Sequence, residues 1–243
     1  MNTNKKTAGI IGALFLTAMA ASLVGGALVE SVLSAPDLLK VVSENETLVI
    51  AGVLLELLNA IAVVGIAVLM FPFLKVPSSN AALGYLSLRL IEAIFCSLIV
   101  ISPLSLIALS QEYLSADAAQ AAMLSTAGAL SIAARASVTG LLIPVFFSLG
   151  ALLFYALAYR SRLLTRVLAA WGLVGAGLIL ASSLLQTFKP ELGMGIQMIL
   201  ALPIILNEIS LGIWLIVKGF NTPTVAAGMA RQASPVLEPS ATS

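Results

Sequence analysis

Apolar stretches of 20 residues and more recur along this chain, and their length constrains the fold more than any other feature. A helix of about 20 residues crosses the roughly 30 Å of hydrocarbon in a bilayer. Only 9% of the 243 residues are charged while 60% are hydrophobic, and mean hydropathy is +1.10. Soluble domains carry about 25% charged residues, so a chain this poor in charge cannot coat a globule with solvated side chains. The expected fold class is all-α, a polytopic helical membrane bundle.

Taken in order, a polar start (residues 1–7, with Lys5 and Lys6) precedes an apolar run from Ala8 to Val29. Lysines, an apolar stretch and Ala18-Met19-Ala20 imitate a signal peptide. The run continues through Leu23, Val24, Leu28 and Val29, so a first spanning helix is the better reading. A polar, net acidic loop from Glu30 to Glu46 turns at Pro36. Thr47 to Phe73 is the second span. The third begins at Asn80, read as its cap, and ends near Ser110. Gln111 to Ser137 is Ala-rich and only modestly apolar, with Asp117 as a cap and Arg135 at its end. Val138–Tyr159, Leu168–Phe188 and Gly193–Val217 complete the spans, with Gly193-Met194-Gly195 as a loop-to-helix entry. The domain plan is a cytoplasmic start over 1–7, six spans over 8–220, and a Pro/Ser/Thr-rich tail over 221–243 expected to be disordered.

Charge bias orients the bundle. With a cytoplasmic N-terminus, the inner side holds Lys5, Lys6, Lys75, Arg160, Arg162, Arg166, Lys218 and Arg231, against Lys40, Arg135 and Lys189 outside. That is a positive-inside pattern. A spanning Gln111–Ser137 would turn the arginine cluster outward. The Ala-rich helix is therefore expected outside, between spans three and four, leaving six transmembrane helices and both termini cytoplasmic.

Absences narrow the chemistry. There is no histidine and one cysteine, Cys96. Zinc, haem and copper centres lean on those residues, so no metal centre or cofactor is expected. Ser-His-Asp and Cys-His catalysis are excluded, as is a disulfide within the chain. Nothing in the sequence suits nucleic acid.

Ionisable and amide groups inside the spans are the place to look for function. Glu56 and Asn59 in span two, and Arg89 and Glu92 in span three, are i,i+3 pairs, so each pair shares a helix face. Asn207 and Glu208 lie in span six. By helical rise, Glu56 and Asn59 sit about 13 and 18 Å below the outer edge. Arg89 and Glu92 sit about 9 and 13 Å, and Asn207 and Glu208 about 15 Å, above the inner one. The six form a band about the midplane whose faces must meet, because lipid cannot satisfy them. Three carboxylates face one guanidinium, so two would carry a proton or await a cation. Pro203 frees the carbonyl of Ile199 beside this centre, as broken helices do in midplane binding sites.

Three functions fit such a centre. The first is a small-molecule or cation site, in a carrier or a binding protein, with the carboxylates titrating or coordinating. The second is a structural or regulatory membrane protein whose polar residues only hold helices together. The third, less favoured, is a membrane enzyme using paired carboxylates as acid and base. Small residues (Gly9, Gly12 and Ala13 in span one; Gly172, Gly175, Ala176 and Gly177 in span five) suit close packing within the chain better than a homodimer.

Several segments also resemble a known family. They are Asn59-Ala60-Ile61-Ala62, Phe71-Pro72-Phe73-Leu74-Lys75, Ala82-Leu83-Gly84-Tyr85 with Arg89 and Glu92, Tyr159-Arg160-Ser161-Arg162-Leu163, Trp171-Gly172-Leu173, and Pro203 through Asn207-Glu208 to Lys218-Gly219-Phe220. Together they are similar to the bacterial integral membrane proteins catalogued as domain of unknown function 4386. The likeness runs from Lys5 to Phe220. It implies a multi-pass protein of the bacterial inner membrane and supplies no activity and no site residues.

Overall fold

The computed structural model describes residues 3–188 and 194–221. Helices alone carry the fold among these residues: α1 (Thr3–Leu33), α2 (Leu38–Glu44), α3 (Glu46–Lys75), α4 (Ser79–Leu98), α5 (Ile101–Tyr113), α6 (Ala118–Ser137), α7 (Ile143–Ser161), α8 (Arg166–Phe188) and α9 (Met194–Val217), with a π-helical turn at Val138–Leu142. Continuous helix satisfies every backbone group inside the segment, which lipid demands. Six of the helical runs are long and apolar enough to cross a membrane, in agreement with the six expected spans.

Those six runs close into a ring. In chain order each packs on the next (α1 on α3, α3 on α4, α4 on α7, α7 on α8, α8 on α9), and α9 returns to α1. Glycines let the backbones approach at the seams. A Cβ at Gly12 would lie 2.5 Å from the carbonyl oxygen of Gly212, and one at Gly25 would lie 2.9 Å from that of Gly52. Gly172 leaves room for the ring of Tyr155, and Gly175 for Ile204. These small residues of the first and fifth spans are consumed in packing within the chain, whereas Gly9 and Gly177 face nothing within 4 Å.

One end of the ring gathers the basic segments. Phe220 stacks on Phe73 at 4.5 Å, the backbone N–H of Asn221 donates to the Leu163 carbonyl, and Gly219 lies beside Lys5 and Ala8. The described starts and ends of an even number of crossings meet there, and its lysines and arginines are those that the positive-inside pattern groups together. Arg162 closes α7 in a left-handed conformation (φ 54°) and offers its carbonyl to the Asn221 side chain.

Several local expectations are corrected. Ser78, not Asn80, caps the third span, accepting from the N–H of Ala81 at 3.3 Å. The acidic loop after span one contains α2. Asp117 does cap the Ala-rich helix, in a reciprocal box with Gln120. Arg135 does lie in the last turn of that helix, but the chain does not turn away there. The chain runs on through the π turn into α7, so α6 and span four form one run of 44 residues. The third span runs Ser79–Tyr113, close to its expected end near Ser110, but consists of two helices, α4 and α5, with a joint between them.

Proline chemistry explains both joints. Pro103 has no N–H for the carbonyl of Ile99, four residues back, and helix order lapses at Ile99–Val100. Pro144 stands in the same relation to Gly140, inside the π turn. Each joint lies about 30 Å along its helix from the basic end, which is one hydrocarbon thickness. Beyond the joints stands an outer lobe of α2, α5 and α6 with its own small core of Val29, Leu39, Val42, Val49, Leu106 and Ile107. Ser102 and Ser131 tie α5 to α6 through an Oγ–Oγ bond of 2.9 Å. The Ala-rich helix therefore lies outside, as expected, but as an extension of span four. Met1, Asn2, Lys189, Gly193 and the expected disordered tail from Thr222 onward fall outside the described residues.

Candidate functional site

The ring encloses a cavity of about 770 Å³. Its deepest lining residue on each helix is Phe15, Ile66, Arg89, Phe147, Ile179 or Glu208. Toward the basic end it is stopped by a packed floor that includes Met70, Phe154, Tyr155 and Leu211. Toward the other end its lining runs on to Glu30, Ile132, Gln186 and Gln197.

The expected single polar centre is split into two layers along this cavity. The outer layer joins three helices at the level of the proline joints. Arg135, at the end of α6, grips Glu56 of α3 with both terminal nitrogens, Nη2 meeting Oε1 and Nη1 lying 3.1 Å from Oε2. The same Nη1 donates to the carbonyl of Ile99 at 2.9 Å, the acceptor that Pro103 leaves without its helical partner. Both side chains are buried, at 7% and 5% exposure. Sequence reasoning left Arg135 at the outer surface. The usable signal was Pro103, which leaves the Ile99 carbonyl unclaimed within an apolar run and so calls for a donor.

The middle layer lies about 14–20 Å above the basic end. Arg89 Nη1 lies 2.8 Å from Glu92 Oε2, one turn along the same helix. The charges touch, but the alignment is not that of a hydrogen bond, and both Arg89 Nε and Glu92 Oε2 are buried without a hydrogen-bond partner. The Arg89 stem runs over Gly150, where a Cβ would lie 3.1 Å away, and its guanidinium covers the ring of Phe147 at 5.5 Å. Glu208 faces this pair from α9. It acts on Arg89 electrostatically across the cavity, and no hydrogen bond or ion pair holds its carboxylate among the described residues.

Asn59 lines the wall between the layers beside Cys96, which is buried and free. Asn207 does not belong to the cavity. Its amide nitrogen donates to the Leu168 carbonyl of α8 at 2.9 Å, stapling two helices. Neighbouring residues on a helix point about 100° apart, and here Asn207 turns to α8 while Glu208 turns to the cavity. Glu56, Asn59, Arg89, Glu92 and Glu208 do line it. Among the described residues no cluster of three or more Asp, Glu or Cys side chains is arranged to hold a metal ion.

A family model described as "Domain of unknown function (DUF4386)" matches residues 10–219. The chain belongs to this family. No curated protein and no solved structure matches it. Membership accordingly carries the membrane-embedded helical domain and no chemistry, and the function has to be argued from the cavity.

Proposed function

We propose that this family member binds a small molecule or ion inside the ring, at the middle layer, and that it does so in a bacterial inner membrane. The observation that carries the reading is Glu208, a carboxylate at membrane depth that lines the cavity with no bonded partner. An ionisable group there is costly unless something compensates it. The proline-interrupted walls, with Pro144 and the joint at Ile99 beside the cavity, fit the broken helices from which carriers build midplane sites.

A second reading has its own support. Arg135 is engaged at once by the Glu56 carboxylate and the Ile99 carbonyl, so the outer polar layer suits helix–helix fixing. An enzyme working through two carboxylates gains no such support, because two of the three membrane-depth glutamates are already paired with arginine.

A thermal-unfolding screen in detergent separates the two main readings. Wild type, Glu92→Gln and Glu208→Gln would be compared across a library of metabolites and ions. A compound that raises the melting temperature of the wild type but not of Glu208→Gln supports binding. If all three proteins move alike with every compound, the polar layers serve structure alone.

A further inference from the structure

Charge accounting along the cavity names a ligand class. The outer layer is neutral, with one arginine for one glutamate. The middle layer holds two carboxylates, Glu92 and Glu208, and one guanidinium, Arg89. Toward the other end of the cavity, the carboxylate of Glu30 takes the Ser34 hydroxyl at 3.2 Å and no cation among the described residues. Among the described residues, the cavity lining therefore carries a carboxylate without a cation partner toward each end, Glu30 at one and Glu208 at the other. The walls between are mostly hydrocarbon and aromatic, with Phe15, Ile66 and Ile205 beside Glu208 and Arg89. A bare metal ion would find a single free carboxylate and few other oxygens, short of the six or more that hard cations collect. A volume of about 770 Å³ is also far more than an ion needs and lies in the range that holds a drug-sized molecule.

We propose that the ligand of this cavity is an amphipathic organic cation, an ammonium-like charge on an apolar body, with Glu208 as its counter-ion. The proposal rests on the reading of the ring interior as a binding site and adds the sign of the charge and the character of the rest of the molecule. Glu208 compensates the ligand's charge where water is scarce, and the apolar walls take the body. Arg89 keeps Glu92 neutralised, so one carboxylate remains for one cation. The same arrangement opposes anions, whose charge would meet Glu30 toward one end and Glu208 toward the other.

Tetraphenylphosphonium and tetraphenylborate, nearly the same shape with opposite charge, test it, with tetraphenylmethane as the neutral isostere. Binding to the full chain in lipid nanodiscs is measured by equilibrium dialysis against empty discs. The expected result is saturable uptake of the phosphonium, at least about tenfold weaker in Glu208→Gln, with no saturable uptake of the borate. Ile205→Trp, one helical turn from Glu208, sets an indole beside the carboxylate and leaves the carboxylate in place, and should weaken the phosphonium as well. It keeps the test decisive if Glu208→Gln does not fold. Equal binding of the cation and the neutral compound, or phosphonium binding unchanged in Glu208→Gln, overturns the charge assignment while leaving a ligand cavity. If none of the three probes binds saturably, the ring interior is not the site and both readings fall; phosphonium binding unchanged in Ile205→Trp puts the ligand away from Glu208 and overturns the charge assignment alone.

Discussion

The two polar layers use the same two residue types and are connected in different ways. In the outer one, Arg135 links α6 to Glu56 of α3 and to the opened carbonyl of Ile99, so a single guanidinium fixes three segments. In the middle one, Arg89 reaches back to Glu92 within its own helix, leaves buried polar atoms unmatched, and faces an unbonded Glu208 across open space. A buried charge with all its hydrogen bonds made serves geometry, since removing either partner strands the other. A buried group with bonding capacity left over is a different object, because something else can complete it. The contrast separates scaffold from candidate site within one cavity, although all these groups lie at membrane depth.

The contrast is open to direct attack. Arg135→Ala should do the most damage, about 3–5 kcal/mol, by abandoning a buried carboxylate and the Ile99 carbonyl together. Reversible unfolding in mixed micelles would register it, and an Arg135→Ala protein as stable as wild type would erase the distinction between the layers. Arg89→Ala should cost less, about 1–2 kcal/mol in the same assay, because its ion pair stays within one helix and only its packing on Gly150 and Phe147 reaches a second. A loss as large as that of Arg135→Ala would make the middle layer scaffold too.

Pro103→Ala offers a finer test. The new N–H can reach the Ile99 carbonyl, so in an Arg135→Ala background it should return about 1 kcal/mol, while in wild type it competes with Arg135. A double-mutant cycle without coupling would show that the proline and the arginine are unrelated. The smallest effect belongs to Glu208→Gln, expected within about 0.5 kcal/mol of wild-type stability because no protein bond is lost. A marked destabilisation would mean that the glutamate already has a structural partner.

Much of the bundle is legible in the residues, since apolar length and charge bias are local quantities. Apolar run lengths give six crossings, the lysine and arginine bias gives their direction, and Asp117 with Gln120 marks the start of the Ala-rich helix. The i,i+3 spacing of Glu56 with Asn59, and of Arg89 with Glu92, places each pair on one inward face. The partner of Glu56 is not legible in that way. It stands 79 residues away, and a guanidinium at the junction of an Ala-rich segment and an apolar one looks like a terminus. Only Pro103 hints otherwise, through a carbonyl whose need for a donor is visible before the donor is. Pairing Asn207 with Glu208 failed for a simpler reason, since adjacency in sequence is divergence on a helix.

The ring closes where Gly12 meets Gly212, between its first helix and its last, and this bears on how the protein is made. At about 5–20 residues per second, α1 waits on the order of ten to forty seconds for α9 to be synthesised. Throughout that interval the growing bundle is a crescent whose hollow side faces lipid. Arg89 and Glu92 emerge together and can neutralise each other at once, but Glu56 enters the bilayer well before Arg135 exists. Glu208 arrives on the very helix that seals the gap. The nascent chain thus holds an uncompensated acid in the membrane for a time. An insertion factor that shelters half-built bundles would find its clearest task here between the emergence of α3 and that of α6.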